Sequence, residues 1–359
     1  MGRPALALAH DYLTQRGGAE RVVASWVTAW PDAPLFTTLY APDDTFADFS
    51  WAHVHPSALN QVAYFRHHHR AALPLLAPVV SSIRIDADVT LASSSGWAHG
   101  YKTTGALAVY CHAPARWLYQ SDRYLRDHQG VAGLIAQGTL FGTLRSWDKR
   151  AARRADLYIV NSTFTQTMVR NIYDRDAVVV APPVTLRTSP AHERDLDVLV
   201  VARLLPYKNV DMVLDVARLS PEVTFAIVGG GPLDEQLRLS APSNVAFHGV
   251  VSDETLSELY SRARVHLALS HEDFGITPLE AAAAGVPTLA RRSGGYLDTI
   301  TEATGVLIDE DALSPRYVAS TLEAVLRRDW DRDAMARHAA SFSPENHIAR
   351  LSEQLDHVR

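Results

Sequence analysis

Two pairs of ionisable residues stand at spacings that could do chemistry. In VVARLLPYKNVD, Arg203 follows a strand-like apolar run, and Lys208 comes five residues later. Asn209, a good helix N-cap residue type, follows at once. Two cations and a helix N-terminus meeting at one point would hold the roughly two negative charges of a diphosphate without a metal. The competing reading is two solvated surface charges. In HEDFGITPLEAAAAG, Glu272 and Glu280 are eight residues apart. Thr277-Pro278-Leu279-Glu280 has the pattern of a capping box with Pro at the first helical position, so Glu280 has a structural explanation. The helix would end at Gly285, with Pro287 as a stop. Glu272 lies in the loop after the strand-like ARVHLALS and has no such explanation.

Three further stretches carry candidate groups. HDYLTQRGGAER joins a strand end to a helix start through Gly17 and Gly18. Glycines there admit a ligand to the backbone, and a helix N-terminus favours an anion; a plain turn is the alternative. VYCHAPARWLYQ puts His112 just past a strand, where it could donate to a sugar or serve as a structural turn histidine. VGGGPLDEQ looks like a phosphate loop, but no Lys-Ser or Lys-Thr follows, so a tight turn with Pro232 opening the helix is the better reading. Neither Cys111-His112 nor the run His67, His68, His69 has the spacing of a metal site. The three histidines read as a solvated loop.

The elements that must position these groups alternate between strand and helix. PALALAH, ADVTLAS, GALAVYC and ADLYIVN are short apolar runs of strand length. Val22, Val23, Trp26, Val27 and Trp30 recur at helical spacing. AVVVAPPVTL predicts another strand, and Pro182-Pro183 with the polar run after it marks a domain boundary. The alternation then restarts with DVLVVARL and NVDMVLDVARL. The 359 residues fit two domains, and 47% hydrophobic content lets each bury a core. Repeated alternation predicts two Rossmann-like α/β domains with parallel sheets, and a cleft between them as the default site.

Composition excludes some classes. With 34 Lys+Arg against 40 Asp+Glu, the net charge of −6 is no nucleic-acid signature. One cysteine excludes an intramolecular disulfide and fits a reducing, cytoplasmic compartment. No signal peptide or membrane span is expected. RHHHRAALPLLAPVV reads as a buried segment beside a polar loop. Its alternative is a surface that docks peripherally on an anionic membrane, at the inner face.

Taken in order, GGAER, His112 in a His-x-Pro element, Arg203 with Lys208, and Glu272/Glu280 resemble retaining glycosyltransferases of family 4 (glycosyl transferases group 1). The resemblance covers nearly the whole chain. HDYLTQRGGAERVV, YCHAPARWLY and SHEDFGITPLEA look most like the mannosyltransferase-like branch. The resemblance implies a GT-B fold: an N-terminal acceptor-binding domain (1–185), a C-terminal nucleotide-sugar domain (186–343), and a final helix (344–359) packing back on the first.

The resemblance also implies roles. Arg203 and Lys208 would bind the donor diphosphate, and Gly17 and Gly18 would admit it. Glu272 would face the donor sugar, with the N–H groups of Phe274, Gly275 and Ile276 in support. Glu280 would bind the ribose, and the base would lie near Gly249 and Val251. His112 would sit near the reacting sugar. Asp273 replaces the Gly often found before the Phe-Gly pair. Acceptor contacts are expected from Asp11, Tyr12, Ser95, Trp97 and Arg116. No metal or other cofactor is expected; the nucleotide sugar, GDP-mannose first and UDP-hexoses next, is the co-substrate. The acceptor is a saccharide, a lipid-linked sugar or a small metabolite. The rival classes are a nucleotide-sugar epimerase and a non-catalytic sugar-nucleotide-binding protein; the missing G-x-G-x-x-G disfavours a NAD oxidoreductase.

Overall fold

The computed structural model describes residues 5–119, 138–184 and 193–358. The chain divides into two compact units, one of residues 1–183 with 345–359 and one of 184–344. The expected boundary at 185/186 falls outside the described residues.

The N-terminal unit is built on a seven-stranded parallel sheet. Its strands are β1 (Leu6–His10), β2 (Leu35–Thr37), β3 (Val54–Pro56), β4 (Val89–Ser94), β5 (Ala106–Cys111), β6 (Leu157–Val160) and β7 (Val178–Val179). Their spatial order is β3-β2-β1-β4-β5-β6-β7. β1 and β4 are buried along their length, and β5 nearly so, as continuous apolar runs require when helices cover both faces of a sheet. The strand expected from AVVVAPPVTL is only two residues long. Pro182 and Pro183 have no N–H to offer a ladder, which stops it early.

Helix α1 (Gly18–Ala29) buries Val22, Val23, Trp26 and Val27, the face its periodicity announced. The last helix, Pro344–Asp356, sends Leu351 and Leu355 into the same core cluster as Trp26. Trp26 Nε1 donates to His347 Nε2 (2.9 Å), and His347 Nδ1 bonds the Ala181 carbonyl (2.7 Å). The final helix is therefore part of the N-terminal unit.

The C-terminal unit has a six-stranded parallel sheet. Its strands are β8 (Leu196–Val201), β9 (Phe225–Val228), β10 (Val245–Gly249), β11 (Ala263–Ala268), β12 (Thr288–Arg291) and β13 (Gly305–Ile308), in the order β10-β9-β8-β11-β12-β13. Helix α2 (Val210–Leu219) buries Val210, Val213, Leu214 and Ala217 against it. Both sheets share one topology. From the first strand the chain winds outward through the second and third, then crosses to the opposite side for the fourth. The order reverses between β1 and β4 in one unit and between β8 and β11 in the other, and ligands of open parallel sheets bind beyond the strand ends at such reversals.

The segment around Arg66–Val80 is helical. Leu73–Ser82 forms a helix with Pro78 inside it, burying Leu76, Ala77 and Val80, in keeping with the buried-segment reading. The histidines before it are not a common loop. His67 pairs with Asp44 (3.2 Å), the His68 ring lies 4.6 Å from that of Tyr64, and His69 stacks on Tyr12 (4.5 Å). No helix among the described residues is long and apolar enough to cross a membrane.

Candidate functional site

In the C-terminal unit, Arg203 and Lys208 lie in the loop after β8, and Glu272 lies in the loop after β11. These are the two strands that flank the reversal. Lys208 Nζ pairs with Glu272 Oε1, and both are shielded, with side chains 12% and 27% exposed. The Ser270 hydroxyl donates to the same Glu272 oxygen (2.8 Å) and shares a 2.8 Å bond with Tyr296 Oη. Tyr296 is buried. Burial first, and then the Glu272 carboxylate, push its phenol well above the usual range, so it stays protonated. The Arg203 side chain is exposed and makes no hydrogen bond or ion pair among the described residues.

Asn209 works differently from the expected cap. It takes a left-handed conformation (φ 53°), and its side chain caps no N–H. Its amide instead donates to the Leu269 carbonyl (2.9 Å), lashing the Lys208 loop to the end of β11. The glycines of VGGG hold the same loop from the other side. A Cβ on Gly229 (φ +129°) or Gly231 would collide with the backbone oxygens of Ala202 or Leu204. The tight-turn reading is the right one, although Pro232 lies ahead of the helix Asp234–Ser240 rather than at its first position.

The helix after Glu272, α3 (Thr277–Ala283), also departs from expectation. Its N-cap is Ile276, with no side-chain cap, so Thr277 and Glu280 form no capping box. Thr277 is already helical, and the Glu280 carboxylate is engaged by the Tyr260 hydroxyl (3.1 Å). The C-terminus follows the sequence. Gly285 is left-handed (φ +66°), and the N–H groups of Val286 and Gly285 reach the carbonyls of Ala281 and Ala282 (both 2.9 Å).

Between Glu272 and α3, the N–H groups of Phe274, Gly275 and Ile276 meet no acceptor among the described residues. Gly294 and Gly295, which the sequence reading passed over, shape this stretch. A Cβ on Gly294 (φ +60°) would overlap the Glu272 carbonyl, and one on Gly295 would strike the backbone of Phe274. Gly295 N–H also donates to the Glu272 carbonyl (2.8 Å). Gly275 (φ +88°) leaves room for the Tyr296 ring. The available signal was the Gly pair after β12, a strand end beside the reversal. Gly249 (φ +67°) ends edge strand β10, and Val251 lies half-buried just past it.

In the N-terminal unit, His10 ends β1, Ser93 lies opposite it near the end of β4, and His112 follows β5. The half-buried His112 bonds Ser93 Oγ through Nε2 (2.8 Å). Burial, helped by the charge of His10, pushes its pKa down to about 3, so the ring is neutral near pH 7. His10 Nδ1 lies 2.9 Å from the same Ser93 Oγ. The buried Glu20 carboxylate stands 3.7 Å from His10 Nε2 and accepts from Gln15 Nε2 (3.0 Å). Burial opposes charge on both members of this pair. The attraction between them outweighs it, lowering the Glu20 pKa and raising that of His10. A Cβ on Gly17 would crowd Glu20 Oε2 in its present position; one on Gly18 would meet open space.

The residues expected at the acceptor separate into two groups. Asp11 is buried and accepts from the N–H groups of Ser95 (2.6 Å), Trp97 (2.8 Å) and Ala98 (2.6 Å). Trp97 is buried and stacked on Trp117 at 4.7 Å. These two build the loop, whereas Ser95 is exposed on it, Arg116 is exposed at the start of the short helix Arg116–Tyr119, and Tyr12 is half-buried. Among the described residues, no cluster of three His, Cys, Asp or Glu side chains could hold a metal ion.

Residues 185–342 match the family model "Glycosyl transferases group 1". The match falls on the C-terminal part of the chain. It is 36% identical, over 179 residues, to the GDP-mannose-dependent alpha-(1-6)-phosphatidylinositol monomannoside mannosyltransferase of Mycolicibacterium smegmatis, covering 44% of this chain and 47% of that protein. It is 31% identical to the D-inositol 3-phosphate glycosyltransferase of Geodermatophilus obscurus over 240 residues, covering 57% and 53%. The matches span about half the length of these curated relatives. Among solved structures, Anabaena HepE in complex with UDP and glucose superposes with a TM-score of 0.66 at 19% identity, covering 99% of this chain and 100% of that one. The lipopolysaccharide outer core galactosyltransferase WaaB gives 0.66 at 17%, covering 98% of both. These similarities show the fold: two Rossmann-like domains of the GT-B class. The match to glycosyl transferases group 1 falls on the unit that holds Arg203, Lys208 and Glu272.

Proposed function

We propose that the protein is a retaining hexosyltransferase. It takes a hexose from a nucleotide sugar, mannose from GDP-mannose in the first instance, and delivers it to a hydroxyl of a saccharide, glycolipid or small metabolite. The observation that carries this reading is the pairing of Lys208 with Glu272 beside an uncommitted Arg203, at the strand reversal of a glycosyl transferases group 1 domain. When a sugar leaves a diphosphate, negative charge grows on the departing phosphate. Lys208, held by Glu272, is a preorganised donor for that charge and Arg203 stands beside it to fold on; fixed donors lower a barrier where charge develops. Glu272 holds the Lys208 ammonium in place and offers its carboxylate to sugar hydroxyls. Glu280 takes the ribose. GDP-mannose leads because the relative at 36% identity is named as GDP-mannose-dependent.

A thermal-shift panel of GDP, UDP, GDP-mannose and UDP-hexoses tests the donor, since a ligand that binds the folded state raises its apparent stability. The expected result is a larger shift with GDP and GDP-mannose than with the uridine series. Incubation with donor and candidate acceptors should then release nucleotide only when the acceptor is present. Epimer formation from donor alone would replace this reading with an epimerase, and no shift with any nucleotide would remove it.

A further inference from the structure

The set of buried Glu20, His10 and Ser93 with half-buried His112 has more order than a core requires. Three of these residues come from the ends of adjacent strands β1, β4 and β5 or the turn just beyond, and the fourth from the first turn of α1. The direction of the hydrogen bonds can be worked out. His10 Nδ1 lies 3.2 Å from the Ser93 carbonyl oxygen as well as 2.9 Å from its hydroxyl. A carbonyl can only accept, so Nδ1 carries a proton, which it shares between the two oxygens. Nε2 faces the Glu20 carboxylate at 3.7 Å, an ion-pair distance rather than a hydrogen bond, and the pairing favours a second proton there against the cost of burial. On that pairing His10 is read as an imidazolium facing a carboxylate. The Ser93 hydroxyl, already accepting from His10, has one proton to give, and its remaining partner is His112 Nε2 at 2.8 Å. A neutral His112 accepting at Nε2 must bear its proton on Nδ1. That nitrogen has no partner among the described residues.

We propose that Glu20, His10 and Ser93 form a positioning chain that fixes His112 as a neutral imidazole with Nδ1–H as its outward donor, ready for a substrate hydroxyl or an oxygen that gains charge. Glu20 and His10 act through Ser93 and touch no substrate. The depressed pKa of His112 agrees with this: burial disfavours its charged form most, and the charge of His10, two hydrogen bonds away, adds to it. Gly17 then has a second purpose: it makes room for the carboxylate at the head of the chain. The catalytic use of that Nδ1–H rests on the glycosyltransferase reading, whereas the tautomer does not.

The test has two arms. Histidine-15N-labelled full-length protein, read by long-range 1H–15N correlation between pH 6.5 and 8, should show His112 protonated at Nδ1 and bare at Nε2, and His10 protonated at both. Ser93→Ala should release the His112 tautomer into a mixture. In the kinetic arm, Ser93→Ala and Glu20→Gln should each lower kcat by about five- to tenfold, the scale of one hydrogen bond, with the donor KM changed less than about twofold. A wild-type His112 protonated at Nε2 overturns the proposal even if both variants fail to fold. So does a folded Ser93→Ala protein that loses the tautomer yet keeps its kcat, or that raises KM alone. If no nucleotide sugar is turned over, the hexosyltransferase reading fails while the NMR arm still decides the chain.

Discussion

At the scale of single residues, the cations after β8 differ in their surroundings. Lys208 is already held by Glu272, whereas Arg203 is free to fold onto a ligand. Both should nevertheless matter. Lys208→Ala and Arg203→Ala are each expected to lower kcat by about 10²- to 10³-fold, the range for removing one donor from a developing oxyanion. Near-normal turnover in both variants would end the diphosphate assignment. Glu280→Gln separates two duties. It keeps a hydrogen bond to Tyr260 but loses the charge, so the expected outcome is weaker nucleotide affinity in titration with little change in melting temperature. A fall in melting temperature without a change in affinity would leave Glu280 a structural residue. The sequence disclosed Arg203, Lys208 and Glu272 through their order along the chain. It did not disclose Tyr296, which reaches the same place from beyond β12, nor that Ser270 and Asn209 turn their side chains onto Glu272 and the Leu269 carbonyl. Glu20 stood inside a quoted motif, but its meaning depends on His10, and the fold alone brings those two together.

At the scale of elements, the loops are shaped by close approach of backbone to backbone. Gly294→Ala puts a Cβ into the Glu272 carbonyl at a left-handed position. It should destabilise the protein by more than about 1 kcal/mol and weaken donor binding, because the 272–276 stretch must move. Gly18→Ala is the informative contrast. The new methyl meets nothing and lies in the first turn of α1, so stability should rise by about 0.5–1 kcal/mol. If Gly18 admits a ligand, kcat/KM falls in that stabilised protein; unchanged kcat/KM would make Gly18 an ordinary turn residue. The strands and helices were legible because apolar period and strand length are local properties. The end of α3 was legible in Gly285, and its start was not. Thr277 has the right type for a cap but sits one position inside the helix, and a cap is decided by backbone angles rather than residue identity.

At the scale of the whole molecule, acid should act on both units. His266 in β11 and His347 in the last helix are buried, and burial pushes their pKa values down to about 3 and about 4. Between those values and the ordinary 6.5, the unfolded chain binds more protons than the folded one. Stability is therefore intact above about pH 6.5 and falls as the pH drops below it, by up to about 2 kcal/mol per histidine at pH 5. For His347 the reason is visible, since a second ring proton would point at the Trp26 N–H that Nε2 now accepts. The melting temperature should decline steadily from pH 7 to pH 5; a flat profile would contradict the neutral assignment. The last helix carries another consequence, for the order of events on the ribosome. Its side chains belong to the core of the first unit, yet they are translated only after residues 184–344. At ordinary elongation rates, the nascent first unit waits about ten to thirty seconds with the seat for Leu351 and Leu355 uncovered. The contiguous second unit has no such wait, so the half of the chain made first is the half completed last.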